Sequence, residues 1–237
     1  METLNIKTIY SAFMGEVNIH GIGVACTFVR LAGCNLRCYF KTKGTLCDTP
    51  EALAKNSGSY MTIPHIIKRV AEIGNRVVCI TGGEPLMQDV TLLLTELSNN
   101  GYKVVVETNG TYSIAPYRHI RDVSFVVDVK STSSGEHKKM LEDNYSLLDK
   151  NDFVKFVIDT EEDFLEFDEW VCRHGGLPFN IAVGTFWGSE VSYQWLVKSL
   201  QNYKGVFLNM QTHKMICLYD RYKSDTSFED LYIPKDL

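Results

Sequence analysis

Three cysteines in one loop carry the most distinctive chemistry of this chain. Cys34, Cys38 and Cys47 stand in RLAGCNLRCYFKTKGTLCDTP with the spacing C-x3-C-x8-C. Structural zinc takes four protein ligands, most often supplied through C-x2-C pairs. Neither condition is met, and a fourth ligand would have to be Asp48 or His65, which the spacing does not recommend. A 4Fe-4S cluster normally takes four thiolates. Three would leave one iron open to coordinate a ligand, which gives the cluster a chemical use in an enzyme. Three unrelated reduced thiols are the alternative without chemistry. The chain has seven cysteines, the others at 26, 79, 172 and 217, an odd number in a chain too large to need disulfide stapling. Cys26 and Cys79 lie inside the apolar runs VACTFVR and RVVCIT, where a thiol packs as a small hydrophobe.

The elements that must position this loop follow from the apolar periodicity. VACTFVR from Val24, RVVCIT from Arg76, KVVVET from Lys103, FVVDV from Phe125, FVKFVI from Phe153, FNIAVG from Phe179 and GVFLNM from Gly205 are β-branched runs of strand length. Between most of them lie segments of helical spacing: IPHIIKRVAEIG, VTLLLTELSNNG, DFLEFDEWVCRHGG and YQWLVKSLQNYKG. Their glycines fit the left-handed stop of a helix. Alternating strands and helices imply parallel β/α units with right-handed crossovers. A full eight-unit barrel needs about 250 residues, so the expected architecture is α/β, an open or partial barrel of about six units. Ligands in such sheets bind at the carboxyl ends of the strands. TGGEP, ETNG, DVKSTSSG and NMQTHK all fall there. KSTSSGEHKK is polar enough to be a mobile loop, and the tail after Tyr219 has no clear assignment.

A chain of 237 residues, 45% hydrophobic and 22% charged, is expected to form one domain around one core. Its formal net charge of -5 gives no electrostatic reason to expect nucleic acid or an anionic membrane as partner. No window approaches the roughly 18 apolar residues of a membrane span, and METLNIKTIY lacks a basic segment followed by an apolar run. The expected setting is cytoplasmic, with small molecules or proteins as partners.

GCNLRC, the later CDT and the TGGEP after the next strand resemble the radical S-adenosylmethionine enzymes, whose usual signature is C-x3-C-x2-C. Here eight residues separate Cys38 from Cys47, and KTKGTL with its neighbours reads as an insertion that preserves the ligands. The resemblance narrows to the 7-carboxy-7-deazaguanine synthases of the queuosine and deazapurine pathway. It rests on MGEV at Met14 to Val17, FVRLAGCN from Phe28, CDT from Cys47, GGEP from Gly82, ETNG from Glu107 and QTHK from Gln211. Each motif is weak alone; their order and loop positions are specific.

The resemblance implies a partial (β/α)6-type radical S-adenosylmethionine barrel over residues 1–237, with a cluster loop at 33–50 and a divergent tail from about 219. Cys34, Cys38 and Cys47 would hold a 4Fe-4S cluster, which reduces S-adenosylmethionine to methionine and a 5′-deoxyadenosyl radical. The cofactor would contact Leu46, Cys47, Asp48, Gly83, Glu84, Asp128, Val129 and Lys130; the usual form of DVK is closer to SPK. The glycines of GGEP would let the backbone approach the methionine part. The implied substrate is 6-carboxy-5,6,7,8-tetrahydropterin, bound by Phe13, Met14, Gly15, Glu16, Arg30, Thr81 and His213, with Arg30 as a bidentate fork for the carboxylate. Met14 and Val17 depart from the family's Gln and Gly. Thr49 matches a magnesium position, where one protein oxygen is enough; capping of the following turn is its structural alternative. The radical would take hydrogen from C6, and ring contraction with loss of ammonia would give 7-carboxy-7-deazaguanine. A flavodoxin-type electron donor and a homodimer are implied as well. Competing readings are a glycyl-radical-enzyme activating enzyme, a non-enzymatic iron–sulfur module, and a degenerate family member that binds the cofactor but has lost substrate specificity through the changes at Met14 and Val17.

Overall fold

The computed structural model describes residues 2–40, 44–47, 49–185, 189–212 and 214. The strands are β1 (Thr3–Phe13), β2 (Ala25–Leu31), β3 (Tyr39–Phe40), β4 (Thr45–Leu46), β5 (Ser59–Thr62), β6 (Val77–Gly82), β7 (Lys103–Thr108), β8 (Val123–Val129), β9 (Phe153–Ile158), β10 (Asn180–Thr185) and β11 (Val206–Leu208). The helices are α1 (Ile63–Ile73), α2 (Thr91–Asn99), α3 (Glu161–His174) and α4 (Tyr193–Ser199). Nine strands form one sheet in the order β11-β10-β9-β8-β7-β6-β2-β1-β5. From β2 to β11 every neighbouring pair is parallel, whereas β1 runs antiparallel to both β2 and β5. Nothing pairs β11 with β5 among the described residues, so the sheet stays open as a partial barrel. All seven apolar runs read from the sequence are strands of the parallel array.

Side chains alternate between two cores. On the outer face Val78, Ile80, Val104, Val106, Val127 and Phe156 pack with Ile66 and Val70 of α1, Leu93 and Leu97 of α2 and Phe167 of α3. Full burial of side chains of this size contributes about 1.5–3 kcal/mol each. On the inner face Cys26, Cys79, Val105, Val126, Phe153 and Ala182 form a small apolar layer closed by Met14 and Val17. Because the strand period is two, the next inward residues on β6, β7, β8 and β9 are Thr81, Glu107, Asp128 and Lys155. The inner face thus changes from an apolar floor to a polar layer toward the carboxyl ends of the strands. Cys26 and Cys79 have the packing role expected of them.

Of the expected left-handed glycine stops, Gly74 caps α1 with φ 84°, whereas Gly175 caps α3 with φ -58° and Leu200 caps α4; α3 starts on a capping box of Thr160 and Asp163. The connections from β7 to β8 and from β8 to β9 differ from a regular β/α repeat. Short 3-10 turns at Ala115–Tyr117, Thr132–Ser134, His137–Lys139 and Glu142–Leu147 replace α-helices there. These segments lack an apolar stripe at helical spacing. The polar segment KSTSSGEHKK bonds to α3: Thr132 N–H donates to Glu166 Oε2 (2.9 Å) and Ser133 Oγ to Asp163 Oδ2 (2.7 Å). No helix of the described residues is long and apolar enough to cross a membrane.

Candidate active site

The described residues between Cys38 and Cys47 pair as the two arms of a hairpin. β3 and β4 pair with Tyr39 opposite Leu46 and Phe40 opposite Thr45, and the Cys47 N–H donates to the Cys38 carbonyl at 2.9 Å. Cys38 and Cys47 therefore form the rung beneath the hairpin, and the long spacing does not separate them. Cys47 takes a left-handed φ of 44°. Backbone and amide donors reach the sulfurs: Leu36 N–H to Cys34 (3.5 Å), Thr49 N–H to Cys47 (3.4 Å) and Asn109 Nδ2 to Cys34 (3.8 Å). All three cysteines are half-buried and none is in a disulfide. Burial pushes the Cys38 thiol up, while Lys130 acts in the opposite direction.

This donor set suits a cluster better than a single ion. Among the described residues no three thiol, imidazole or carboxylate groups converge as one metal would require. A four-iron cluster attaches each thiolate to a different iron, and the N–H donors on the Cys34 and Cys47 sulfurs suit thiolates held in that way. His65, weighed as a zinc ligand, is exposed on α1, and Asp48 lies outside the described residues.

The cluster loop is clamped from three directions. Gly33 N–H and Cys34 N–H donate to Ala52 O (2.8 Å) and Leu53 O (3.2 Å). Arg37 N–H donates to Glu136 Oε1 at 2.6 Å. Asn35 bonds Thr111 Oγ1 (2.8 Å) and accepts from Asn109 Nδ2 (3.0 Å). The GGEP turn presses on the same loop. A Cβ at Gly82 (φ 125°) would lie 2.2 Å from Leu31 O, and one at Gly83 would lie 2.2 Å from Gly33 O and 2.8 Å from Ala52 O. These glycines are required by the approach of two backbones to each other. Gly83→Ala is expected to cost about 1–3 kcal/mol and to lower the iron retained per chain, checked by urea denaturation and iron assay. Unchanged values would show that the two loops can part freely.

Glu84 is wholly buried. Its Oε1 accepts from Leu86 N–H (2.9 Å) and Thr108 Oγ1 (2.8 Å), and its Oε2 from Asn109 N–H (2.6 Å). Burial pushes its carboxyl up to about 7 against these bonds. In this geometry Glu84 ties the GGEP turn to the ETNG turn and, through Asn109, to Cys34.

The polar layer lies beside the cluster loop. Lys155 Nζ is 2.8 Å from Glu16 Oε2 and 3.2 Å from Asp128 Oδ1, while Lys130 Nζ is 2.6 Å from Asp128 Oδ2. Thr81 Oγ1 donates to Glu107 Oε2 at 2.8 Å; burial pushes the Glu107 carboxyl up and Lys155 holds it down. Glu16 Oε1 accepts from Gln211 Nε2 (2.8 Å), and Gly15 O accepts from Thr212 N–H (3.0 Å). Arg30 pairs with Glu51 Oε1 at 3.3 Å, its guanidinium lies 5.6 Å from the centre of the Tyr10 ring, and its buried Nε has no acceptor among the described residues.

Of the residues singled out in the sequence, Gly15, Glu16, Arg30, Thr81, Asp128 and Lys130 therefore belong to one polar layer beside Cys34, Cys38 and Cys47. Met14 does not reach it: its side chain is 1% exposed in the inner apolar layer, and its backbone bonds Val24 O and Gly23 N–H. Phe13 and Leu46 are about half exposed, at the end of β1 and on the hairpin. Val129 and Lys130 line a cavity of about 310 Å³ between the segment after β8 and α3. Thr49 precedes the turn Pro50–Ala52 without capping it through its side chain. His213 lies outside the described residues. Sequence reasoning missed Lys155, Glu107, Glu51, Asn109 and Glu136 as site residues. A lysine inside FVKFVI, where every neighbour is apolar, was the available signal for Lys155.

Residues 29–170 match the Radical SAM superfamily, whose members join a 4Fe-4S cluster to S-adenosylmethionine, and the chain is an enzyme of that superfamily. It is 33% identical to 7-carboxy-7-deazaguanine synthase of Methanospirillum hungatei over 91% of this chain and 86% of that protein. With 7-carboxy-7-deazaguanine synthase of Leptospira interrogans it shares 32% identity over 90% of this chain and 96% of that one. The crystal structure of QueE from Escherichia coli superposes with a TM-score of 0.68 at 21% identity, covering 88% and 93% of the two chains. The chain belongs to the 7-carboxy-7-deazaguanine synthase family.

Proposed function

We propose that the chain converts 6-carboxy-5,6,7,8-tetrahydropterin to 7-carboxy-7-deazaguanine with loss of ammonia, within one domain over residues 1–237. Arg30 carries this reading. Its guanidinium stands at the strand end leading into the cluster loop, with a buried Nε that lacks an acceptor among the described residues, and a substrate carboxylate would supply one. The fork matches two carboxylate oxygens in a way that an ammonium cannot. Glu16 and Glu107 offer acceptors for the N–H groups of a pterin edge, and Thr81 fixes Glu107.

Cys34, Cys38 and Cys47 would hold the cluster at the 33–50 loop. The backbone at Gly83 with Leu46, Cys47, Asp48, Asp128, Val129 and Lys130 would hold S-adenosylmethionine, and Glu84 would order that backbone from below. Together the two cofactors supply hydrogen abstraction from the pterin. Thr49 would give one oxygen to a magnesium ion whose other ligands are water and substrate, in keeping with that ion's habits. The protein's own contribution is orientation, because a reactive radical takes whichever hydrogen lies nearest. Arg30 and Glu16 set which carbon that is. A flavodoxin-type donor, a homodimer and a cytoplasmic setting complete the reading, the first because cluster reduction needs a one-electron source.

Anaerobic reconstitution with iron and sulfide, then reduction in the presence of S-adenosylmethionine, carboxytetrahydropterin and magnesium, tests the proposal. The expected product by mass spectrometry is 7-carboxy-7-deazaguanine. 5′-Deoxyadenosine without it would overturn the substrate, and hydrogen abstraction from a partner's glycine would favour an activating enzyme.

A further inference from the structure

Lys155 is the one charged side chain on β9, and it is nine-tenths buried on the inner face. An ammonium in that position is strongly disfavoured unless it is paired. Here it has two carboxylate partners that come from opposite sides of the site. Glu16 reaches it from the loop after β1, 139 residues away in sequence, and Asp128 from the end of β8, the strand paired with β9 in register Asp128 to Lys155. Glu107 adds a third negative charge from β7. Burial works against the charge on Lys155, and these carboxylates outweigh it.

The two partners differ in how they are held. Asp128 has a second cation, Lys130, at 2.6 Å. Glu16 accepts from Gln211 at 2.8 Å and from Asn209 Nδ2 at 3.3 Å, both neutral, and pairs with the Lys155 ammonium at 2.8 Å. Asn209 also accepts from Val17 N–H through Oδ1 at 2.9 Å, which fixes the backbone of the same loop. An ammonium anchored in the β8–β9 ladder thus ties the Gly15–Glu16 loop to the end of β8. Loss of that ammonium removes this tie and takes a positive charge from beside Glu16, Asp128 and Glu107.

We infer that Lys155 is a positioning residue that locks the Glu16 loop to the β8 strand end, so that substrate and cofactor are held in one frame. The inference rests on the proposed substrate reading, and the experiment separates the two. Lys155→Met and Lys155→Arg are compared with the unaltered chain, each reconstituted and carrying S-adenosylmethionine. Three quantities are read: the dissociation constant for 6-carboxypterin by calorimetry, the ratio of deazaguanine product to 5′-deoxyadenosine, and the unfolding midpoint without cluster.

For Lys155→Met the expected result is about a hundredfold loss in kcat/KM, of the size that misplacement of reacting groups produces. It should be accompanied by weaker 6-carboxypterin binding and a lower product-to-deoxyadenosine ratio. Lys155→Arg, which can still bridge two carboxylates, should recover most of the ratio. A lower unfolding midpoint with pterin affinity and ratio unchanged would overturn the inference and leave Lys155 a purely structural ion. If Lys155→Met does not fold, the arginine variant decides: a ratio as low as that of a misaligned site, despite normal stability and retained charge, would also overturn it. Failure of the unaltered chain to bind 6-carboxypterin or form product would instead count against the substrate reading.

Discussion

Replacing Glu84 by alanine is expected to remove about 3–5 kcal/mol of folding stability, because three buried donors lose their acceptor together and each unsatisfied group costs about 1–3 kcal/mol. Leu86 N–H, Thr108 Oγ1 and Asn109 N–H all end on this carboxylate. The effect should extend beyond stability, since Asn109 also holds Asn35 and touches the Cys34 sulfur. Urea denaturation of the cluster-free chain and iron content after reconstitution should fall together. Glu84→Gln isolates the charge. With the folded carboxyl at about 7 against an ordinary 4.5, the folded state holds its proton more tightly than the unfolded one. The resulting stabilisation is complete below pH 4.5 and is lost as pH rises toward 7, by about 3 kcal/mol. Subtracting the glutamine variant's pH profile from that of the unaltered chain should expose this slope. Parallel profiles would refute it, and a glutamine variant that loses only S-adenosylmethionine binding would make Glu84 a direct cofactor contact.

Arg30→Ala is expected to lower kcat/KM for carboxytetrahydropterin by about 10²–10³, the effect of truncating one member of a buried hydrogen-bonded charge pair at about 2–5 kcal/mol. S-adenosylmethionine cleavage should continue, so 5′-deoxyadenosine accumulates without deazaguanine. Lysine should recover little, because a point charge on a flexible stem does not reproduce a fork and does not stack on Tyr10 in the same way. The discriminating measurement is the product ratio at saturating cofactor over a range of pterin concentrations. Equal loss of both products would place Arg30 in the cofactor or cluster machinery through its Glu51 partner. Retention of full kcat/KM would remove the carboxylate from its role.

Much of the fold was legible because parallel strands buried on both faces leave a plain trace: RVVCIT, KVVVET and FVKFVI are nearly unbroken apolar runs. The end of each run also carried the site, since the carboxyl edge of an open α/β sheet is where the loops converge. The edge strands were harder. β5, with Ser59 and Tyr60 exposed, owes its state to pairing with β1 and not to its own pattern. The hydrogen bonding of Glu84 was hidden for a related reason. A glutamate after two glycines looks like a ligand contact, and only the fold shows that its three donors come from the protein. Lys155 is hidden by its own run, because nothing inside FVKFVI names a partner for a lone lysine and its carboxylates, Glu16 and Asp128, come from other elements. Asp48, His213 and the tail from about 219 lie outside the described residues.

The rung between Cys38 and Cys47 also bears on how such chains are found and altered. A hairpin that begins and ends on the same rung can change length while both ligands stay in register, so the number of residues between them is not a chemical constant of the site. A search that demands two residues there would pass over this chain. The same rung marks a graft point, where a peptide inserted at the turn would leave the spacing of the two thiols to the ladder beneath it.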